Sequence, residues 1–277
     1  MRRYRTLGLL FLLSALAYGL GLSIARYLGQ MHAWLLAAQG LAWVWFLLGS
    51  GAALTKAFAA TTNEEDHRRW LTVAFVLLAA AALETTLLLW QNSLPPSAAV
   101  LQVVLAVAVV FSTTPPLRLL DKGYGEILLA AGLSLLVPAF AYALQAAQLH
   151  RLLGMVGLPL FFLGLAALLA WDFPNYASNL KRERRSLLMR LDWRMAMRVH
   201  NLALLIGFLL LALDVVLGFP LGIALPCAIP FVAALLQVWM MQRIAQGARP
   251  PWGWLRTNAV MIVALTAYVL LLGFWRV

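Results

Sequence analysis

Residues 171–200 read WDFPNYASNLKRERRSLLMRLDWRMAMRVH and form the longest polar interruption in an otherwise apolar chain. The stretch carries seven cations (Lys181, Arg182, Arg184, Arg185, Arg190, Arg194 and Arg198) against three acids (Asp172, Glu183 and Asp192). On both sides the sequence returns to runs of Leu, Ala, Val and Phe. Crossing the hydrocarbon core of a bilayer takes roughly 20 apolar residues, and these runs are long enough. A polar loop between two membrane spans can anchor the protein at the surface, cover a ligand, or do both.

Working outward, the composition places the whole chain in the membrane. Of its 277 residues 64% are hydrophobic and 11% charged, and the mean hydropathy is +0.87. A soluble domain carries about 25% charged residues. The apolar runs predict an all-α integral membrane protein with nine transmembrane helices, at approximately 7–26, 33–58, 70–90, 97–112, 125–146, 153–171, 199–218, 220–241 and 256–275. They leave no room for a separate soluble domain, so residues 1–277 read as a single membrane domain. MRRYR followed by an apolar run from Leu7 mimics a signal peptide, but further spans follow at once, and it reads as an uncleaved first helix.

A net charge of +11 in a soluble protein would point to nucleic acid. Here its distribution gives another cause, and no nucleic-acid partner is expected. All but Arg26, Arg151 and Arg276 of the 21 Lys and Arg fall on one side of the nine-span topology. The positive-inside rule makes that side cytoplasmic. The N-terminus is then inside, the C-terminus outside, and the polar loops face the cytoplasm from an inner, cytoplasmic-type membrane. The opposite connections are short, such as QNSLPP at 91–96. Cys227 is the only cysteine, so there is neither an intramolecular disulfide nor a paired-cysteine metal motif.

A second polar stretch is FSTTPPLRLLDKGYGEILLAAG, residues 111–132. Pro115 and Pro116 end the fourth span, Arg118 and Lys122 sit at headgroup depth, and Gly123 and Gly125 let the chain turn into the next helix. By itself this describes a turn at the membrane edge. Charge and position also let Arg118 and Lys122 face an anionic group at the mouth of a cavity.

These two stretches resemble the UbiA superfamily of intramembrane prenyltransferases. There an aromatic-Ser-x-Pro-Pro-Leu-Arg-Leu run leads into Gly-x-Gly-Glu, and a second aspartate-rich motif has the form DFPDYEADKxxGKRTLxxRLG. The resemblance covers residues 105–275 well and the first hundred poorly. It implies a nine-helix UbiA-type bundle with both motif loops cytoplasmic. It also implies prenyl transfer: two aspartate-rich motifs hold Mg²⁺ on a polyprenyl diphosphate, which ionises and alkylates an acceptor. Mg²⁺ needs hard oxygen ligands, and loss of pyrophosphate in an apolar site needs its growing charge neutralised.

The acids that this chemistry requires are mostly missing. In the second motif Asp172 remains, while later acidic positions read Asn175, Ala177 and Asn179. An Asn carbonyl can touch a metal but brings no charge. The first motif, of the form NDxxD, falls at Thr55-Lys56-Ala57-Phe58-Ala59, where Lys56 is a cation and no acid remains. Glu64, Glu65 and Asp66 are either a displaced metal site or first-turn charges at a helix N-terminus. No metal site is assigned; Asp172 is the weak candidate, and Mg²⁺ is expected only if the chain is an enzyme. Lys56, Arg118, Lys122, Lys181, Arg184 and Arg185 can hold a diphosphate directly or touch anionic headgroups.

Glu84 and Asp214 are acids within spans, a default functional signal. Glu84 can meet a polar group of a quinone or pigment, or a cation of another subunit. His200 can ligate a pigment or haem metal, or simply be a hydrogen-bonded side chain. Trp43, Trp45, Trp90, Trp171, Trp193, Trp252, Trp254 and Trp275 read as an aromatic belt.

Two functions follow. The first is a non-catalytic relative that binds an isoprenoid lipid, quinone or pigment tail, or serves as an accessory subunit of a membrane complex. The second is an active prenyltransferase with an ionisation site built from Asp172, Asn175, Asn179 and nearby cations.

Overall fold

The computed structural model describes residues 2–31, 33–59, 62–176 and 186–276, with the side chains of 2–7 and of 121 excepted. Among the described residues nine helices are long and apolar enough to cross a membrane. They are α1 (Arg2–Tyr27), α2 (Trp34–Ala57), α3 (Glu64–Trp90), α4 (Pro96–Thr113), α5 (Gly125–Ala146), α6 (Arg151–Asp172), α7 (Trp193–Val216), α8 (Leu221–Ala245) and α9 (Trp252–Arg276). Each matches an expected span. The differences are polar turns that hydropathy does not score. α3 starts at Glu64 rather than 70, because EEDHRR forms its first turns with Asn63 as N-cap, accepting from the Asp66 amide at 2.7 Å. Similarly, WRMAMR starts α7 at Trp193 rather than 199.

Packing divides the chain into two compact units: 1–119 with 136–149, and 120–135 with 150–277. The first half of α5 belongs to the second unit and its second half to the first, and the change falls at a π turn, Gly132–Leu136, two residues before Pro138. Proline has no N–H to continue the ladder, and a π turn accommodates the interruption.

In the first unit, α1 lies against the second half of α5 so closely that a Cβ on Gly21 would collide with the Pro138 carbonyl oxygen. The core runs through Tyr18, Phe140 and Trp43, with ring centroids 6.3 and 5.2 Å apart in turn. Trp43 does not join an aromatic belt. It is 3% exposed, and its indole N–H donates to Thr85 Oγ1 at 3.0 Å. The belt reading failed there because a buried indole with a polar partner looks the same in sequence as an interfacial one.

In the second unit, α6 and α7 meet at Gly207, where a Cβ would press on Leu163 and the Pro159 carbonyl. α8 and α9 are joined by an amide ladder: Asn258 Nδ2 donates to Gln237 Oε1 (2.9 Å) and the Ala233 carbonyl (3.1 Å), and Gln237 Nε2 donates to the Leu255 carbonyl (3.2 Å). Such buried amides hold helices together where no hydrophobic drive separates protein from lipid.

Candidate functional site

The end of α2 is where the first aspartate-rich motif is expected. A helix C-terminus leaves carbonyls without intrahelical partners, and here side chains take them one by one. Thr62 Oγ1 donates to the Lys56 carbonyl at 2.8 Å. His67 Nδ1 lies 2.8 Å from the Ala57 carbonyl, which requires that nitrogen to carry its proton. Arg118 Nη2 donates to the Phe58 carbonyl at 2.7 Å. Arg118 itself has φ +39°, in the left-handed region, and its guanidinium reaches back 60 residues in sequence. Lys56 Nζ lies 3.7 Å from the centre of the Trp70 ring, a cation–π contact. Glu64, Glu65 and Asp66 occupy the first turn of α3, where negative charge favours the helix dipole.

In the second unit the two stretches that carry the family resemblance meet. Gly123 has φ +82°, and a Cβ there would lie 2.8 Å from Arg190 Cδ and 3.0 Å from the Ser186 carbonyl. Only glycine lets the backbone pass this close in this conformation. The Arg190 guanidinium stacks 4.3 Å above the Tyr124 ring and donates to the Tyr124 hydroxyl at 2.9 Å. Glu126 Oε1 accepts from the Leu187 amide at 3.4 Å, at the start of the short helix Leu187–Leu191. The Gly-Tyr-Gly-Glu turn is therefore a clasp on the returning end of the 173–192 connection.

The other end of that connection rests on rings. Phe173 packs edge-on to Trp193 (5.2 Å) and stacks on Trp252 (6.2 Å), and Tyr176 packs edge-on to Trp193 (5.4 Å). The Tyr176 hydroxyl donates to Asp192 Oδ1 at 3.1 Å. That hydrogen bond, more than burial or the Asp192 charge, raises the Tyr176 phenol above its ordinary 10.0. Arg256 Nε donates to the Trp171 carbonyl at 3.0 Å, and its guanidinium lies 5.4 Å from the Trp171 ring.

The sequence-predicted residues are thus distributed. Lys56 and Arg118 come together at the end of α2. Asp172 and Asn175, both half-buried, sit at the end of α6, and Lys122 is exposed beside the clasp. Asn179, Lys181, Arg184 and Arg185 lie outside the described residues. His200 is fully buried. Its Nδ1 is 2.8 Å from the Ala166 carbonyl, tying α7 to α6, and Nε2 is buried without a hydrogen-bond partner. Glu84 is half-buried in α3.

Among the described residues the donor set does not match a Mg²⁺ site of the two-motif kind. Among the described residues no three His, Cys, Asp or Glu side chains gather where they could hold a metal ion. Glu126 and Asp192 accept hydrogen bonds from the Leu187 amide and Tyr176, and the position of the first motif holds a lysine.

Sequence reasoning missed Tyr124, Glu126, Arg190, Trp70 and His67. Glu126 lies in the first turn of α5 yet caps a helix 61 residues away, and no local pattern announces such a partner.

No protein-family model matches the sequence, and comparison with curated proteins finds no match. Solved structures do match. A digeranylgeranylglyceryl phosphate synthase structure superposes with a TM-score of 0.70 at 11% identity, covering 100% of both chains. A UbiA homolog from Archaeoglobus fulgidus, bound to GPP and Mg²⁺, gives 0.66 at 13% identity over 99% of this chain and 98% of that one. The apo structure of a UbiA homolog from Aeropyrum pernix K1 gives 0.60 at 13% identity over 94% and 96%. At these identities the likeness is one of fold.

Proposed function

We propose, from a multi-pass membrane chain that shares its fold end to end with UbiA homologs, that this protein holds an isoprenoid chain in the membrane without ionising a diphosphate. The observation that carries this reading is the end of α2. Where the ionising chemistry needs carboxylates, Lys56 stacks on Trp70, and Thr62, His67 and Arg118 occupy the helix-end carbonyls. Asp172 is left as the single acid of the second motif's pattern. One carboxylate and an Asn carbonyl give Mg²⁺ little anionic oxygen, and a departing pyrophosphate too little neutralisation.

On this reading the apolar helices house the prenyl tail. The ligand is an isoprenoid lipid, or the tail of a quinone or pigment. The protein acts as an accessory subunit beside other membrane proteins, in an inner membrane, with its polar loops on the cytoplasmic face. The cations of those loops, including Lys122, Lys181, Arg184 and Arg185, meet anionic headgroups, at about 1 kcal/mol each.

The test is thermal stabilisation of the purified protein by geranylgeranyl diphosphate and by geranylgeraniol, each with Mg²⁺ and with EDTA. Stabilisation by both ligands, unchanged by EDTA and without pyrophosphate release, is expected. Stabilisation by the diphosphate alone, dependent on Mg²⁺ and accompanied by pyrophosphate, would overturn the reading and establish an active prenyltransferase.

A further inference from the structure

We propose that the α8–α9 turn of the second unit binds one anionic phospholipid, with Arg243 and Arg249 on its phosphate and Trp239 beside its upper acyl chains. The argument begins with the orientation of α8. Ala233 and Gln237 of α8 meet Asn258 of α9, and Phe231 packs edge-on to Phe208 of α7 at 5.2 Å. With 3.6 residues per turn, Trp239 and Arg243 fall on the side of α8 away from Gln237. They share that side with Val232, Leu235 and Leu236, all exposed. This is the face that α8 turns to lipid, and Trp239 on it is 49% exposed.

The turn then gathers charge at the end of that face. Gly247 has φ +97°, and its amide donates to the Ile244 carbonyl at 3.0 Å while the Ala248 amide donates to the Arg243 carbonyl at 3.0 Å. Backbone amides thus close the end of α8, and the Arg243 side chain is not needed as a cap. The same Ala248 bond sets Arg249 beside Arg243. The Arg243 guanidinium lies 5.2 Å from the centre of the Trp239 ring. Both arginines are exposed, and among the described residues no hydrogen bond or ion pair takes up either guanidinium. Arg256, by contrast, is committed to the Trp171 carbonyl. Residues 215–277 contain no Asp or Glu, so no acid of the hairpin competes for the two arginines.

This arrangement selects the ligand. Two cations at the end of an apolar stripe, with an indole between charge and hydrocarbon, match a molecule that is anionic at one end and apolar below. Arginine binds phosphate through paired N–H groups, and tryptophan settles at the level where headgroup meets chain. A prenyl alcohol would leave the guanidiniums unanswered, and a free anion would leave Trp239 and the stripe unused. The site is separate from the prenyl-tail binding proposed above. It differs from general headgroup attraction in being saturable by one lipid.

The test is a native mass spectrometry titration of the full-length protein, stripped of lipid in detergent, with dioleoyl phosphatidylglycerol and dioleoyl phosphatidylcholine. Phosphatidylglycerol is expected to fill one tight site that phosphatidylcholine does not. Arg243→Gln with Arg249→Gln is expected to weaken that site about thirtyfold, the loss of two cations at a headgroup. Arg68→Gln with Arg69→Gln removes two exposed cations at the start of α3 and is expected to leave it unchanged. Equal weakening by both double variants would overturn the proposal, because the contact would then be general attraction to charge. Equally tight binding of glycerol 3-phosphate, which lacks acyl chains, would also overturn it. In the unsubstituted protein a photoreactive phosphatidylglycerol is expected to label residues 239–254, which keeps the test open if the variant fails to fold. Label confined to other segments would contradict the assignment. Stabilisation by geranylgeraniol is expected to be unchanged in Arg243→Gln with Arg249→Gln, so failure of one proposal leaves the other standing.

Discussion

The end of α2 and the clasp around Gly123–Glu126 are two polar helix ends whose side chains do different work. At the end of α2, Lys56 lies over the Trp70 ring, His67 meets the Ala57 carbonyl and Arg118 donates to the Phe58 carbonyl. At the clasp the contacts are architectural. Glu126 accepts from the Leu187 amide and Tyr124 carries Arg190. One helix end is closed by side chains on its carbonyls, the other holds a loop.

Substitutions can break this contrast. The largest effect is expected from Gly123→Ala, which puts a Cβ at φ +82° against Arg190 and the Ser186 carbonyl and costs about 1–3 kcal/mol. Thermal unfolding in detergent should show a clear drop in Tm. An unchanged Tm would mean the clasp is not held as described. Arg118→Ala removes the donor to the Phe58 carbonyl and should cost about 1 kcal/mol. Because the contact is architectural, geranylgeranyl diphosphate should stabilise Arg118→Ala by as many degrees as it stabilises the parent. Selective loss of that stabilisation would instead make Arg118 a ligand contact.

The smallest effect is expected at Tyr176. Its phenol is raised by donating to Asp192, so the bond contributes below the ordinary tyrosine value of 10.0 and is lost as pH rises through the higher folded value. Tyr176→Phe should therefore differ from the parent only below that pH, and only slightly, since the contact is exposed. A difference that grew with alkaline pH would contradict the assignment.

Much of the fold was legible because span hydropathy is a local property: nine apolar runs correspond to nine membrane-length helices among the described residues. What it could not register were helical turns made of charge, such as Glu64–Arg69, where capping rather than apolarity starts the helix. Trp43 shows the same limit from the other side, as a core residue that reads like an interfacial one. The candidate site was legible as residue types, such as the cation at Lys56 and the amide at Asn175. It was illegible where partners lie far apart in sequence, as between Gly123 and Arg190 or Phe58 and Arg118. Those pairings come from tertiary approach, which no periodicity encodes.

The most direct measurement is native mass spectrometry of the protein extracted gently from its own membrane. The account predicts an intact isoprenoid, quinone or pigment bound without pyrophosphate, with other membrane subunits retained. A prenyl diphosphate with Mg²⁺, or a newly prenylated product, on a protein free of partners would contradict it.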